Sequence, residues 1–349
     1  MHTAALPADH PELVLAKELG IRTAKRDEFL AAFIKEHHLK LIAISGTHGK
    51  TTTTGMTVWA LRQLGVPVSY SGGTTLPFGA SGAYDPHSEF FVYECDEYDR
   101  NFLHFSPDLS ILTSIDYDHP DTYPTEAEYK QAFRTYISQS THTIAWQQDL
   151  ACIEQAPLET IWALQPSDTA PIELHGAHNR RNATLVVKAL EYLGIGDETS
   201  RRQALASFPG TDRRFEKLAD NLYSDYGHHP AEIAATLQMA RELSDHVVLV
   251  YQPHQNWRQQ FIADQYTDQF EAAETIYWVP TYLTREDPTQ TVLTPQELTS
   301  NITNRTAIHY AELNDALWEQ IQSHREQGHL VLCMGAGTID DWVRHQREG

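Results

Sequence analysis

The chain has 349 residues, enough for two domains and an additional segment, and 41% of them are apolar, which supplies real cores. Lysine and arginine number 26 against 47 acidic residues, a formal net charge of −21, so the surface repels a nucleic-acid backbone and any anionic ligand needs a local positive site. Three cysteines without metal-ligand spacing (Cys95, Cys152, Cys333), no signal-peptide layout at Met1–Pro7 and no apolar run approaching about 18 residues predict a reduced, cytoplasmic protein with no membrane partner.

In chain order, residues 9–35 carry apolar positions at helical spacing (Leu13, Ala16 and Leu19, then Phe29, Leu30 and Phe33), punctuated by Pro11 and Gly20. The apolar run at 40–45 predicts a buried strand, 51–64 a helix ending at Gly65, and Pro67–Tyr70 and Phe90–Tyr93 further strands. Leu109–Ile115 predicts a strand with Asp116, Asp118 and His119 at its C-terminal end. A helix over 125–139, a short strand at Thr143–Trp146 and an amphipathic helix over 179–193 follow. The character resets around Phe208-Pro209-Gly210. Strands are then predicted at Leu222–Ser224, Val247–Tyr251, Thr275–Val279 and Leu330–Met334, with helices over 230–243, 258–273, 294–301 and 312–326 between them. The alternation predicts parallel α/β in both halves.

Residues 46–54 read Gly46-Thr47-His48-Gly49-Lys50-Thr51-Thr52-Thr53-Thr54 and lie between the first buried strand and the first long helix. A glycine-rich turn at a helix N-terminus points backbone N–H groups at anionic oxygens. Lys50 supplies a mobile charge for the β- and γ-phosphates, and Thr51 a hydroxyl for Mg²⁺. The loop is shorter than a standard Walker A, because Ile44 stands where that motif has its first glycine. Taken alone, Lys50 would be a solvated helix-start residue; in this setting it reads as a ligand for a nucleoside triphosphate, and Lys50→Ala is expected to abolish turnover and leave the fold intact.

Glu94-Cys95-Asp96-Glu97 follows a strand directly, where ligands of open α/β sheets sit. It reads either as an acidic loop of an acidic protein or as carboxylates for Mg²⁺. His119 is structural or a metal ligand; two carboxylate-bearing strand ends beside a phosphate loop favour the second. His178-Asn179 and Asn182 open a helix as caps or as a polar edge for adenine. Arg214 reads as a plain salt bridge or as a bidentate ligand of a γ-phosphate. Asp225, in Asp225-Tyr226-Gly227-His228-His229-Pro230, reads as a turn or a ribose acceptor. His254 and Arg258 follow the next strand and face an anionic or amino-acid substrate.

In this order the motifs resemble the Mur ligase family: Gly46 to Thr52, Glu94-Cys95-Asp96-Glu97, Asp118-His119, His178-Asn179 with Asn182, Arg214-Phe215-Glu216 and Asp225 to Pro230. His48, the doubled His228-His229-Pro230, and Gln252-Pro253-His254 with Arg258 resemble the branch that joins L-alanine to UDP-N-acetylmuramate. Glu94-x-Asp96-Glu97-Tyr98-Asp99 resembles the peptide-recycling ligases nearly as well. The resemblance implies an ADP-forming ligase that phosphorylates a carboxylate with ATP and passes the acyl group to an amino acid. It implies Gly46, Thr47, His48, Gly49, Lys50, Thr51 and Thr52 around the phosphates. Thr51 and Glu94 would hold one Mg²⁺ and His119 a second. His178, Asn179 and Asn182 would sit at adenine, Arg214 on the γ-phosphate, Asp225 on the ribose, and His228, His254 and Arg258 on the acceptor side. Lys130 is not expected to be carbamoylated.

The resemblance also implies three parts. Residues 1–38 look like the tail of an N-terminal UDP-sugar-binding domain whose glycine-rich loop is absent, 39–208 like a P-loop-type central ATP-binding domain with a mainly parallel sheet, and 209–349 like a Rossmann-like α/β ligase domain. Either a separate chain would then supply the nucleotide-sugar-binding part, or the substrate would differ. The readings from other classes are an ATP-binding subunit without turnover, which needs a partner, and a P-loop kinase or GTPase; the short loop and the asparagine-rich edge do not suit guanine.

Overall fold

Nearly continuous apolar runs, rather than alternating ones, suit strands covered on both faces, as in parallel sheets. The computed structural model describes residues 1–2, 6–7, 9–284, 286 and 289–348, so the part of the amino-terminal expectation that falls on Thr3, Ala4, Ala5 and Ala8 lies outside the described residues. Two units emerge: residues 1–172 with 181–208, and residues 173–180 with 209–349.

The first unit opens with α1 (Pro11–Glu18), which buries no side chain, and α2 (Arg26–Glu36), which buries Asp27 and Ile34. Then come β1 (Lys40–Ser45), α3 (Lys50–Gln63), β2 (Val68–Ser71), β3 (Gly82–Ala83), β4 (Phe90–Glu94), β5 (Leu109–Leu112), α4 (Glu126–Gln139), β6 (His142–Trp146), α5 (Gln147–Cys152), β7 (Ile161–Leu164), α6 (Ala177–Tyr192) and α7 (Glu198–Ala206). The seven strands run in the order β3-β2-β4-β1-β5-β6-β7, all parallel except the β2–β3 edge. Register matters most at one end: Ile44 pairs with Glu94 and Ser45 with Leu112. The loops after β1, β4 and β5 therefore leave the sheet side by side. Phe102, Tyr123, Tyr129, Phe133 and Tyr136 are fully or nearly fully buried beneath them.

The second unit contains β8 (Glu216–Ala219), β9 (Leu222–Asp225), α8 (Pro230–Leu243), β10 (Val247–Tyr251), α9 (Asn256–Ile262), β11 (Thr275–Trp278), α10 (Pro295–Leu298), β12 (Ile308–Tyr310), α11 (Asp315–Glu326), β13 (Leu330–Met334) and α12 (Ile339–Glu348). Its sheet has the order β12-β11-β10-β13-β9-β8, parallel apart from β8–β9. Tyr251 pairs with Met334 and Met334 with Asp225, which brings Asp225, Gln252 and Gly335 to one edge. Tyr251, Tyr266, Phe270 and Trp278 pack edge to face as its aromatic core.

Both sheets are those of the expected α/β class. Several elements differ from their predicted extent. The helix expected over 258–273 ends at Ile262 and continues only as a 3₁₀ turn to Tyr266, because Tyr266 and Phe270 turn into the core. The strand expected to reach Ile115 ends at Leu112, where Thr113 and Ser114 turn their side chains to the loop after β1. Strands β3, β7, β8 and β12 are the edges of the two sheets, two to four residues long and largely uncovered, so they lack the continuous apolar run of the equally short central strands. The single division near 208 also misses one segment: Glu173–Arg180 packs with the second unit. The three cysteines are unpaired, and among the described residues no helix is long and apolar enough to cross a membrane.

Candidate active site

In the first unit the loop after β1 turns at Gly46 (φ +130) and Gly49 (φ +83) and enters α3 at Lys50. The first turn of any helix leaves N–H groups without intrahelical partners. Here they belong to the stretch around Lys50, Thr51 and the half-buried Thr52. Two loop residues expected at the phosphates are otherwise engaged. The Thr47 N–H donates to Ser114 O (2.9 Å) and the His48 N–H to Ser114 Oγ (2.9 Å). Thr47 Oγ1 also accepts from Asp116 N (2.8 Å) and bonds Tyr129 Oη (2.7 Å), tying the phosphate loop to the loop after β5.

Lys50 folds back over its own loop. Its Nζ donates to Gly46 O (2.7 Å) and to Glu97 Oε2 (2.8 Å) and lies 3.5 Å from Asp96 Oδ1. Burial pushes the ammonium pKa down, but the Glu97, Asp96 and Glu94 carboxylates outweigh it and hold the group above its ordinary value. Glu97 is fully buried. Its Oε1 lies 3.6 Å from His119 Nε2, and His119 is itself 3.7 Å from Asp118 Oδ2. Sequence reasoning passed over Glu97 as part of an acidic run; the signal available was its place three residues beyond the last strand position. His119 sits at φ +58, a conformation unusual for a residue with a side chain and concentrated at functional sites.

Glu94 closes β4, where Oε1 accepts from Thr51 Oγ1 (2.8 Å) and Oε2 from Gly73 N (2.8 Å). Hydroxyl and carboxylate oxygens are the hard donors Mg²⁺ prefers, so this pair fits that ion. Lys130 makes a surface pair with Glu126 (2.9 Å), apart from these groups. Asn182 is buried, with its amide 3.0 Å from where a Cβ on Gly49 would stand, so it packs directly on the phosphate loop.

In the second unit, His178 and Asn179 precede the rest of α6. Asn179 Nδ2 donates to His175 O (3.0 Å), while His178 lies in the field of Glu242, Arg180, Arg214 and Glu232. The Asp225 carboxylate is buried and accepts the N–H groups of Phe215 (2.8 Å) and Gly227 (2.7 Å). Burial raises its pKa to about 6, against the opposing effect of Arg214. Arg214 lies over the Tyr226 ring (5.2 Å) and 3.9 Å from Glu232 Oε1.

Glu232 is the hub that the sequence did not single out, although His229-x-x-Glu232 is a capping box. It accepts from the N–H groups of His228 (3.1 Å) and His229 (3.2 Å). The His228 ring packs on His254 (5.5 Å), and His254 stacks on Tyr282 (5.7 Å). Arg258 is buried beside Trp257. Gln252 Oε1 accepts the Ile339 N–H (3.0 Å) and stands 2.4 Å from where a Cβ on Gly337 would fall, so the Gly335–Gly337 turn is moulded on Gln252.

These imidazoles give the second unit a pH dependence. Burial lowers His178 to about 4 and His228 to about 3, from an ordinary 6.5. As pH falls below 6.5 the unfolded chain binds protons first, so the stability these neutral rings contribute is lost, about 2 kcal/mol for each by pH 5. Asp225, raised rather than lowered, works in the opposite sense and offsets about 1 kcal/mol over the same range. Thermal melts at pH 7 and pH 5 are expected to show net destabilisation at pH 5, and His178→Gln to reduce that difference.

Residues 44–160 match the Mur ligase middle domain, and residues 213–337 match the Mur ligase glutamate ligase domain. The chain is 31% identical over 368 residues to the UDP-N-acetylmuramate–L-alanine ligase of a Nocardioides species, covering 97% of this chain and 79% of the relative. With the ligase of that name from Brucella anthropi the identity is 30% over 394 residues, covering 98% of this chain and 82% of the relative. Among solved structures, the Thermotoga maritima UDP-N-acetylmuramate–alanine ligase superposes with a TM-score of 0.77 at 21% identity, covering 99% of this chain and 83% of that one. A murein peptide ligase from Psychrobacter arcticus gives 0.64 at 21% identity, covering 99% and 84%.

Proposed function

Because the chain belongs to the Mur ligase family of ATP-dependent, ADP-forming acid–amino-acid ligases, we propose that its acid is UDP-N-acetylmuramate and its amino acid L-alanine. The observation that carries the nucleotide side of this reading is the Lys50 ammonium, held over the N-terminus of α3 with Thr51 and Glu94 beside it. The choice of acid and amino acid is supported by the relatives that match nearly the whole chain.

In the proposed reaction a carboxylate oxygen attacks the γ-phosphorus of ATP, ADP leaves, and an acyl phosphate forms. The amine of the amino acid then attacks the acyl carbon and inorganic phosphate leaves. Little covalent work falls to the protein, so positioning and charge neutralisation dominate. Lys50 leaves Glu97 for the γ-phosphate, and the N–H groups of the first turn of α3 hold the phosphate chain. Thr51 and Glu94 would hold Mg²⁺, which would neutralise phosphate charge when bound, and His119, beside two carboxylates, would hold a second ion. Asn179 and Asn182 face adenine, Asp225 the ribose and Arg214 the γ-phosphate. His228, His254 and Arg258 orient the amino acid. Residues 1–38 belong to the nucleotide-sugar side, 39–208 to ATP and 209–349 to the amino acid.

Phosphate release tests the reading. With ATP, Mg²⁺ and UDP-N-acetylmuramate, L-alanine is expected to stimulate release more than any other amino acid. Stimulation by a muramyl tripeptide instead moves the chain to the peptide-recycling reaction that its Glu94–Asp99 stretch resembles. ATP binding without release under any acid–amine pair overturns the ligase reading in favour of a subunit that needs a partner.

A further inference from the structure

At the edge of the second unit's sheet where its strands begin, three histidines gather away from Asp225, Gln252 and Gly335, which lie where the strands end. The helix α11 closes there with Gly328 at φ +83. The Gly328 N–H donates to Arg325 O (3.0 Å) and the His329 N–H to His324 O (3.0 Å). This is the Schellman closure, which brings the third residue from the helix end against the second residue beyond it, commonly as an apolar pair. Here the two positions are His324 and His329. Their Nδ1 atoms stand 3.0 Å apart, so one carries a proton and the other presents its lone pair.

Strand register adds a third ring. Val247 of β10 pairs with Leu330 of β13, and the Leu330 N–H donates to His246 O (2.9 Å), which sets His246 beside His329 with ring centroids 5.1 Å apart. Two rings are oriented from behind. Tyr277 Oη meets His324 Nε2 (3.1 Å), and Glu274 Oε2 meets His246 Nδ1 (3.0 Å). A partner on one ring nitrogen fixes the tautomer and leaves the other nitrogen as a donor, the arrangement found behind metal-binding histidines.

We infer that His324 and His329, completed by His246, form a site for a borderline divalent transition metal such as Zn²⁺ or Ni²⁺. Nitrogen donors with bonds of about 2.1 Å stand about 3 Å apart on adjacent corners of an octahedron and about 3.4 Å apart in a tetrahedron, so the two Nδ1 atoms at 3.0 Å need only a small opening to take either ion. Imidazole nitrogens select such ions over Mg²⁺. The C-terminal end of α11 supplies a negative partial charge. Glu274 adds a carboxylate, shared with Arg241 (3.7 Å), and the Arg325 guanidinium is drawn to Asp220 O (3.0 Å). His246, whose side chain is exposed, reaches the ion with its Nε2 by swinging about the Nδ1 contact it keeps with Glu274. His309 stands farther off, across the Tyr277 ring (5.7 Å). A bound ion ties the α11–β13 turn to the start of β10.

Calorimetric titration of the tag-free, chelator-treated full chain with Zn²⁺ in excess Mg²⁺ tests this. A Zn²⁺-binding step is expected whose affinity falls at least tenfold in His324→Ala/His329→Ala and several-fold in His246→Ala, whose exposed position leaves folding unaffected. Glu94→Gln, at the proposed Mg²⁺ site, is expected to keep the Zn²⁺ site. A melting temperature raised by Zn²⁺ in the wild type and not in the double variant supports the same conclusion. Zn²⁺ binding that is absent, or equal in wild type, double variant and His246→Ala, overturns it.

Discussion

Lys50→Ala is expected to slow ATP-dependent phosphate release by about 10³-fold, since its charge is needed most as the γ-phosphoryl group transfers. The structure revises the companion expectation that the fold is left intact. Glu97 is fully buried, and its Oε2 has Lys50 Nζ at 2.8 Å. Removing one partner of a buried pair strands the other charge and costs about 3–5 kcal/mol. Lys50→Ala should therefore lower both turnover and melting temperature. Adding Glu97→Gln should recover most of the stability and none of the turnover. Unfolding in urea, read beside phosphate release, separates the two losses. A single variant as stable as the wild type would show that the pair does not hold the loop; one that turns over normally would remove Lys50 from the chemistry.

Gly46→Ala is expected to weaken ATP binding by about 10²-fold or more. Gly46 is at φ +130, and a Cβ there would stand 2.6 Å from Ser114 O, 2.9 Å from Ser114 N and 2.5 Å from Thr113 Oγ1. Two of these are backbone atoms of the segment that receives the Thr47 and His48 N–H groups, so relief requires the loops after β1 and β5 to part. Gly65 makes the control. Its φ is +72 but a Cβ there would meet nothing within 4 Å, so Gly65→Ala carries only the backbone strain, of order 1–3 kcal/mol, and leaves nucleotide affinity unchanged. Calorimetry with a non-hydrolysable ATP analogue distinguishes them; equal affinities in the two variants would mean the crowding at Gly46 is unimportant.

The glycine and threonine run at 46–54 was legible because few other tasks demand that composition between a strand and a helix. The central strands were legible because both their faces are buried, which leaves a continuous apolar run. Glu97 was not, because four consecutive residues of an acidic protein offer three carboxylates, and only the path of the turn after β4 decides which one enters the interior. Glu232 was hidden in a helix start, where a glutamate is ordinary. Strands β8 and β12 were missed because edges of a few residues leave a face to solvent and carry too few positions for a period to show. Thr47 was read as a phosphate residue from its place in the motif; that its side chain also joins two loops through Asp116 and Tyr129 left no mark in the sequence.

The division between the two units falls inside α6, with Glu173–Arg180 on one side and Arg181 onward on the other. The first piece is tied to α8 by the Gly176 N–H on Glu242 (2.9 Å) and by Arg180 on the same carboxylate (2.8 Å). During synthesis this segment leaves the ribosome some sixty residues before Glu242 does, so it waits unpartnered while the rest of α6 is already free to join the first sheet. A chain begun at Pro209 would lack the backbone and guanidinium groups of residues 173–180 that donate to Glu242, and supplying those residues as a peptide in trans should raise its melting temperature.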